Sequence, residues 1–165
     1  MKRRTLLPLA GAALLAGCGF QLRRAPDFAF QSIVIKAPAT SPLANELRRS
    51  LAADGKVNVL PFDTDPNRAQ VVFELTQELR EKVVVGINAS GEVREFELRL
   101  RIRFNLHTPA GKELIPGTEL LQTRDISFNE SAVLAKEAEE GLLYRDMQSD
   151  LVQQLMRRLA APKTL

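Results

Sequence analysis

VVFELTQELREKVVVGI (71–87) and FELRLRIRFNL (96–106) decide the fold of this chain. In the first stretch seven of the nine odd positions are apolar: Val71, Phe73, Leu75, Leu79, Val83, Val85 and Ile87. In the second all six even positions are apolar: Phe96, Leu98, Leu100, Ile102, Phe104 and Leu106. Alternation with period two predicts two long strands, each with one buried face. Asn88-Ala89-Ser90-Gly91 between them is built from turn-forming residues. A four-residue loop there places Val83 opposite Phe96, Leu79 opposite Leu100 and Leu75 opposite Phe104. Both apolar faces then lie on one side of a half-buried antiparallel hairpin, a match that a one-residue slip would break.

The other face of the hairpin carries Glu95, Glu97, Arg99, Arg101 and Arg103. The same register sets Arg101 against Glu78 and Lys82 against Glu97, both attractive pairs, and Arg80 against Arg99, a repulsive one. The stripe therefore reads in two ways: a solvated face with internal charge pairing, or a surface that takes phosphates or other anions.

Outward from the hairpin, Gln31–Lys36 is β-branched and predicts a first strand. Ser41-Pro42 starts a helix, with serine as N-cap and proline at the first helical position. Leu43, Leu47 and Leu51 form its stripe, and Gly55 is placed to end it. Val57–Leu60 predicts a short second strand, and Pro61–Asn67 a loop. Beyond the Thr108–Gly111 turn, Glu119–Phe128 predicts another strand. Asn129 or Ser131 can cap a long helix to about Leu159. Its second half carries Leu143, Met147, Leu151, Leu155 and Leu159, widened by Val152 and Met156 into a core-facing surface, with Gly141 as an interior weak point. The expected class is α+β: two helices on one face of a mainly antiparallel sheet of four to five strands with a long central hairpin.

The N-terminus carries an address. Lys2, Arg3 and Arg4 precede an apolar stretch from Leu6 to Ala16, and Leu15-Ala16-Gly17-Cys18 ends it. A basic start, a short apolar core and small residues before a cut site make a secretory signal. The stretch is too short for a transmembrane helix and contains Pro8. The cysteine resembles a bacterial lipobox, with cleavage before Cys18 and lipid on its thiol. Gly19, where an aspartate would signal retention in the inner membrane, points to the outer membrane. The expected organisation is a signal at 1–17, a lipidated tether at 18–30 and one domain at 31–165.

Processing would change the charge argument. The 165-residue chain has 23 basic and 20 acidic residues. Removing 1–17 takes Lys2, Arg3 and Arg4 and no acidic residue, so the balance falls to zero and no nucleic-acid footprint remains. Cys18 is the single cysteine, so no disulfide can form within the domain.

The chain offers little catalytic chemistry. His107 is the one histidine and sits near a strand end. Without a second histidine or a free thiol, triad and thiol chemistry lack support. The usual zinc ligands and a glycine-rich phosphate loop are missing. Asp63, Asp65 and Asn67 resemble half a calcium loop without its glycine and terminal glutamate. Trp is absent and Tyr144 is the lone tyrosine, which disfavours a ring-stacking platform for sugars or single strands. Phe28 and Phe30 read as core. No cofactor is expected.

Several segments together resemble the LptE family of lipopolysaccharide-assembly lipoproteins. They are Cys18-Gly19-Phe20-Gln21-Leu22-Arg23, Ser41-Pro42-Leu43, the hairpin tip ending in Gly91 with Glu95-Phe96, and above all Ala132-Val133-Leu134-Ala135-Lys136-Glu137 continuing through Asp146-Met147 to Gln154-Leu155. The resemblance spans the mature chain. It implies a non-enzymatic outer-membrane partner of a large LptD-like β-barrel, acting as plug and assembly factor in lipopolysaccharide transport and binding lipopolysaccharide itself. Lys136 matches the family's lysine at the helix start. The family's basic residue at the hairpin tip is unmatched, since Ala89 and Ser90 stand there, and Arg94 is the nearby substitute. With Arg99, Arg101 and Arg103 these form the candidate ligand contacts. The rival readings are a generic structural or assembly lipoprotein of the outer membrane, or a lipid-anchored periplasmic hydrolase using carboxylates.

Overall fold

The computed structural model describes residues 26–53 and 55–165. The signal, Cys18 and the first part of the tether lie outside the described residues. Phe28 and Phe30 from the tether's end pack together, ring centres 5.3 Å apart, and Phe30 is buried in the core. Phe30 joins the core directly ahead of β1, and Phe28 packs against that core.

The elements are β1 (Ser32–Lys36), α1 (Pro42–Ala53), β2 (Asn58–Leu60), β3 (Val71–Ile87), β4 (Val93–His107), β5 (Glu113–Ser127) and α2 (Val133–Leu159). They form one five-stranded sheet in the order β2-β1-β3-β4-β5. The long strands β3, β4 and β5 pair antiparallel, while β1 runs parallel to both β2 and β3. The sheet is therefore mixed. The helical crossover α1 between β1 and β2 is what permits a parallel pair.

Helix α1 begins as its residues require. Ser41 Oγ accepts from Ala44 N at 3.0 Å, and Pro42 occupies the first turn. Leu43, Leu47 and Leu51 are fully buried. Gly55 follows with φ +68°, a backbone shape that L side chains avoid. Before α2, Asn129 Oδ1 accepts from Ser131 N at 3.0 Å and caps a short 3-10 turn over Glu130–Ala132. Both helices cover the face that carries Ile33, Ile35, Phe73, Leu98, Leu100, Ile102 and Phe104, and α2 adds Met147, Leu151, Val152, Leu155 and Leu159. Strand β5 starts six residues earlier than its pattern suggests. Pro116 and Gly117 interrupt that early part, which an edge strand tolerates.

The hairpin departs from expectation at three register shifts, one at Thr76 and two near the tip, between Val84 and Gly86 and between Gly86 and Ile87. Leu75 pairs with Phe104 as expected, but the register shifts between Leu75 and Gln77. Thr76 is the extra residue, and its Oγ1 donates to Arg103 O at 3.1 Å. Past this bulge Leu79 faces Arg101 and Val83 faces Glu97, while Arg80 faces Leu100 and Lys82 faces Leu98. The expected pairs Val83–Phe96, Leu79–Leu100, Arg101–Glu78 and Lys82–Glu97 are not formed, and neither is the repulsive Arg80–Arg99. A bulge reverses the faces of the residues beyond it, here from Gln77 to Val84, where the register shifts again. The polar side chains so turned inward find partners on the helical layer. Ser41 Oγ donates to Glu78 Oε2 at 2.6 Å. Arg80 lies 5.2 Å from the ring centre of Tyr144 and donates to Gln148 Oε1. Lys82 meets Glu140 at 2.7 Å.

Candidate functional site

Two groups of basic residues emerge, on different faces. The first lies where the tip end of the hairpin meets the start of α2. The tip is closed by Asn88, whose Oδ1 accepts from Ser90 N and Glu92 N, and by Gly91 at φ +83°. Arg94 follows the tip, and its guanidinium reaches Glu92 at 2.8 Å. Its carbonyl accepts from Phe128 N at 2.8 Å, which ties β4 to the segment entering α2. Phe128 stands edge-on to Phe96 at 5.4 Å.

From α2, Lys136 Nζ donates to Ser127 Oγ at 3.0 Å and to Glu139 Oε2 at 2.9 Å. Lys82 approaches the same place from β3, its amine 4.4 Å from the Phe96 ring centre. A crevice of about 60 Å³ lies here, lined by Lys82, Phe96, Ile126, Phe128, Val133 and Lys136 among others. Glu137 and Glu140 line it too, and Lys82 and Lys136 are paired with Glu140 and Glu139, so an anionic group over the aromatic and aliphatic floor would take the place of those carboxylates. Beside it Leu134 is 82% exposed on the first turn of α2. Lys82 was hidden from sequence reasoning because the unbulged register sends it to the other face.

The second group is the stripe of Arg99, Arg101 and Arg103 on the helix-free face of the sheet. Each arginine already has a carboxylate. Arg99 meets Glu97 at 2.6 Å, Arg103 meets Glu119 at 2.9 Å, and Arg101 meets Glu119 and, at 3.8 Å, Glu81. The hydrogen bond from Arg103, then Arg101, holds the Glu119 carboxyl below the usual carboxylate range against some desolvation. Leu79 and Leu121 share this face and are partly exposed. Of the sequence candidates, the structure thus brings Arg94 and Lys136 to one end and sets the stripe apart from them.

His107, Asp65 and Tyr144, singled out in the sequence, have structural partners. His107 Nδ1 lies 2.8 Å from Thr108 O and Nε2 lies 3.6 Å from Glu74. Asp65 Oδ1 accepts from Asn67 N and caps the turn at Pro66–Arg68. Tyr144 donates to Glu81 O at 2.7 Å, and burial, then the Glu140 charge, raises its phenol above the ordinary value. Among the described residues no three metal-ligating side chains converge, and no helix is long and apolar enough to cross a membrane.

Residues 28–159 match the family model described as LptE, lipopolysaccharide-assembly. A protein named LPS-assembly lipoprotein LptE from Yersinia enterocolitica is 30% identical over 170 residues, covering 96% of this chain and 77% of the relative. Its namesake from Yersinia pestis is 29% identical with the same coverage. Among solved structures, an uncharacterized lipoprotein B from Nitrosomonas europaea superposes with a TM-score of 0.74 at 33% identity, covering 87% of this chain and 91% of that one. The rare lipoprotein B from Shewanella oneidensis gives a TM-score of 0.66 at 22% identity, covering 79% and 95%, and bears on the fold alone.

Proposed function

The chain belongs to the LptE family of lipopolysaccharide-assembly lipoproteins, and from that premise we propose that it is the lipid-anchored partner of an LptD-like β-barrel in the outer membrane. In this reading residues 1–17 are removed and Cys18 carries the lipid. Several acyl chains then hold the domain at the membrane, since each buried CH₂ contributes about 0.8 kcal/mol. The domain sits in the barrel lumen as a plug and assembly factor while lipopolysaccharide passes to the outer leaflet. The observation that carries the reading is the family match running through both helices and all five strands.

The role asks for surfaces and not for catalysis. Glu92, Glu97, Glu119, Glu139, Glu140 and Asp150 each face a basic side chain at hydrogen-bond distance, which suits structural pairing better than acid–base work. Direct contact with lipopolysaccharide falls to Lys136 and Arg94, joined by Lys82. The crevice of Lys136 and Lys82 sets cations beside apolar walls and two glutamates, with Arg94 outside its lining, and a phosphorylated glycolipid would use the cations and the apolar walls. Both basic groups would exchange carboxylates for phosphate, and the stripe of Arg99, Arg101 and Arg103 ranks second because it lacks the aromatic floor of the crevice. Affinity purification of the detergent-extracted protein tests the proposal. One large β-barrel should co-purify in stoichiometric amount, and a different partner would refute the reading.

A further inference from the structure

The two edges of the sheet are unlike. Strand β2 has three residues and runs straight into Pro61, a blunted edge. Strand β5 is long, and its register with β4 is unbroken from Thr118 to Ser127. The hydrogen bond from Phe128 N to Arg94 O, one step past that ladder, fixes its parity. Even-numbered residues of β5 turn their backbone groups toward β4. Glu119, Leu121, Thr123, Asp125 and Ser127 turn theirs to the open side. All five residues are exposed. Arg124 donates to one of these outward carbonyls, that of Thr123, at 2.9 Å. The rest of the row is a template for another strand.

The side chains say which strand would fit. On the helix-free face β5 presents Glu119, Leu121, Thr123 and Asp125. Glu119 is matched from within the sheet by Arg101 and Arg103. Asp125 is not: it sits opposite Glu97, whose own partner is Arg99. Among the described residues Asp125 has no cation. In a second copy paired edge to edge the outward residues Glu119, Leu121, Thr123, Asp125 and Ser127 offer no basic side chain to Asp125 in any register, and pairing about Gln122 would bring Glu119 against Asp125 twice. Charge complementarity therefore selects a different chain. We propose that the open edge of β5, from Glu119 to Ser127, accepts a sixth strand from another polypeptide, with a basic residue opposite Asp125 and an apolar one opposite Leu121. The inference is independent of the lipopolysaccharide contacts and of the barrel's identity.

The peptide Thr-Lys-Thr-Val-Gln-Val-Thr-Lys-Thr is a direct probe. Centred on Gln122 it sets lysine against Glu119 and Asp125 in either chain direction. Titrated into the full-length chain in detergent, it should slow amide exchange at Leu121, Thr123 and Asp125. A peptide with glutamate for both lysines should bind about tenfold more weakly. Asp125→Lys should narrow or reverse that preference. Thr123→Pro, tolerable at an edge, should abolish binding while the far-UV spectrum stays unchanged. Equal binding of both peptides, protection elsewhere on the chain, no protection at about 1 mM peptide, or a β5–β5 dimer in sedimentation would each overturn the proposal.

Discussion

Lys136 is held by Ser127 and Glu139 at the mouth of a crevice that Lys82 shares. Its amine is thus prepositioned, and an incoming phosphate would exchange for a neutral hydroxyl and one carboxylate. Lys136→Glu would set a new negative charge beside Glu137, Glu139 and Glu140 on the same helix face or turn. We expect lipopolysaccharide binding to fall about tenfold or more, the worth of one charge-assisted hydrogen bond, with the fold retained. Unchanged binding in an equilibrium assay would end the ligand role of this lysine. Tyr144 is the lone tyrosine, so its absorbance is unambiguous. Burial favours its neutral form. The tyrosinate signal of the folded chain should therefore appear above the free phenol's value of about 10. The sign follows: a raised folded pKa contributes stability that is full below about pH 10 and is lost as pH climbs through the folded pKa. A midpoint at or below that of the urea-unfolded chain would contradict the packing of Tyr144.

Helix α2 carries a glycine where its own hydrogen bonding needs none. A Cβ at Gly141 would meet nothing within 4 Å, and its φ is not positive. Gly141→Ala should stabilise the chain by about 0.5–1 kcal/mol, read as a higher urea midpoint at constant m-value. A loss would mean that the helix bends there. The elements were largely legible in sequence because hydrophobic period survives any detail of packing: the leucine stripes of α1 and α2 and the turn at Asn88–Gly91 all stand where the pattern puts them. The bulge at Thr76 was not legible. Leu79 and Val83 continue the odd-numbered apolar series, so β3 alone argues for one uninterrupted face. What makes the flip favourable lies on other elements: Ser41 for Glu78, Tyr144 and Gln148 for Arg80, Glu140 for Lys82. The same flip conceals the candidate crevice, because its second lysine reaches it only after the register shift. The parallel pairing of β1 was hidden for a related reason, since a short β-branched run does not state its direction.

One core joins both helices to one sheet face, while the opposite face holds charge pairs. Leu151 is fully buried where α2 meets that core. The single cysteine precludes a disulfide within the domain, so cooperativity rests on this packing. Leu151→Ala should cost about 2–5 kcal/mol, its transfer energy plus the cavity left behind. That is a large part of the 5–15 kcal/mol typical of a domain. If the fold is one unit, helix content by far-UV dichroism and the Tyr144 signal should be lost at the same urea concentration in both the parent and the variant. The variant's midpoint should be lower and its m-value the same. Separate midpoints would show that α2 can leave while the hairpin stays folded. That outcome would bear on function, because the start of α2 forms one wall of the lysine crevice and Arg124 ties β5 to Asp150 on the helix. A coincident loss means instead that crevice, hairpin tip and open β5 edge are presented to a partner as one rigid body.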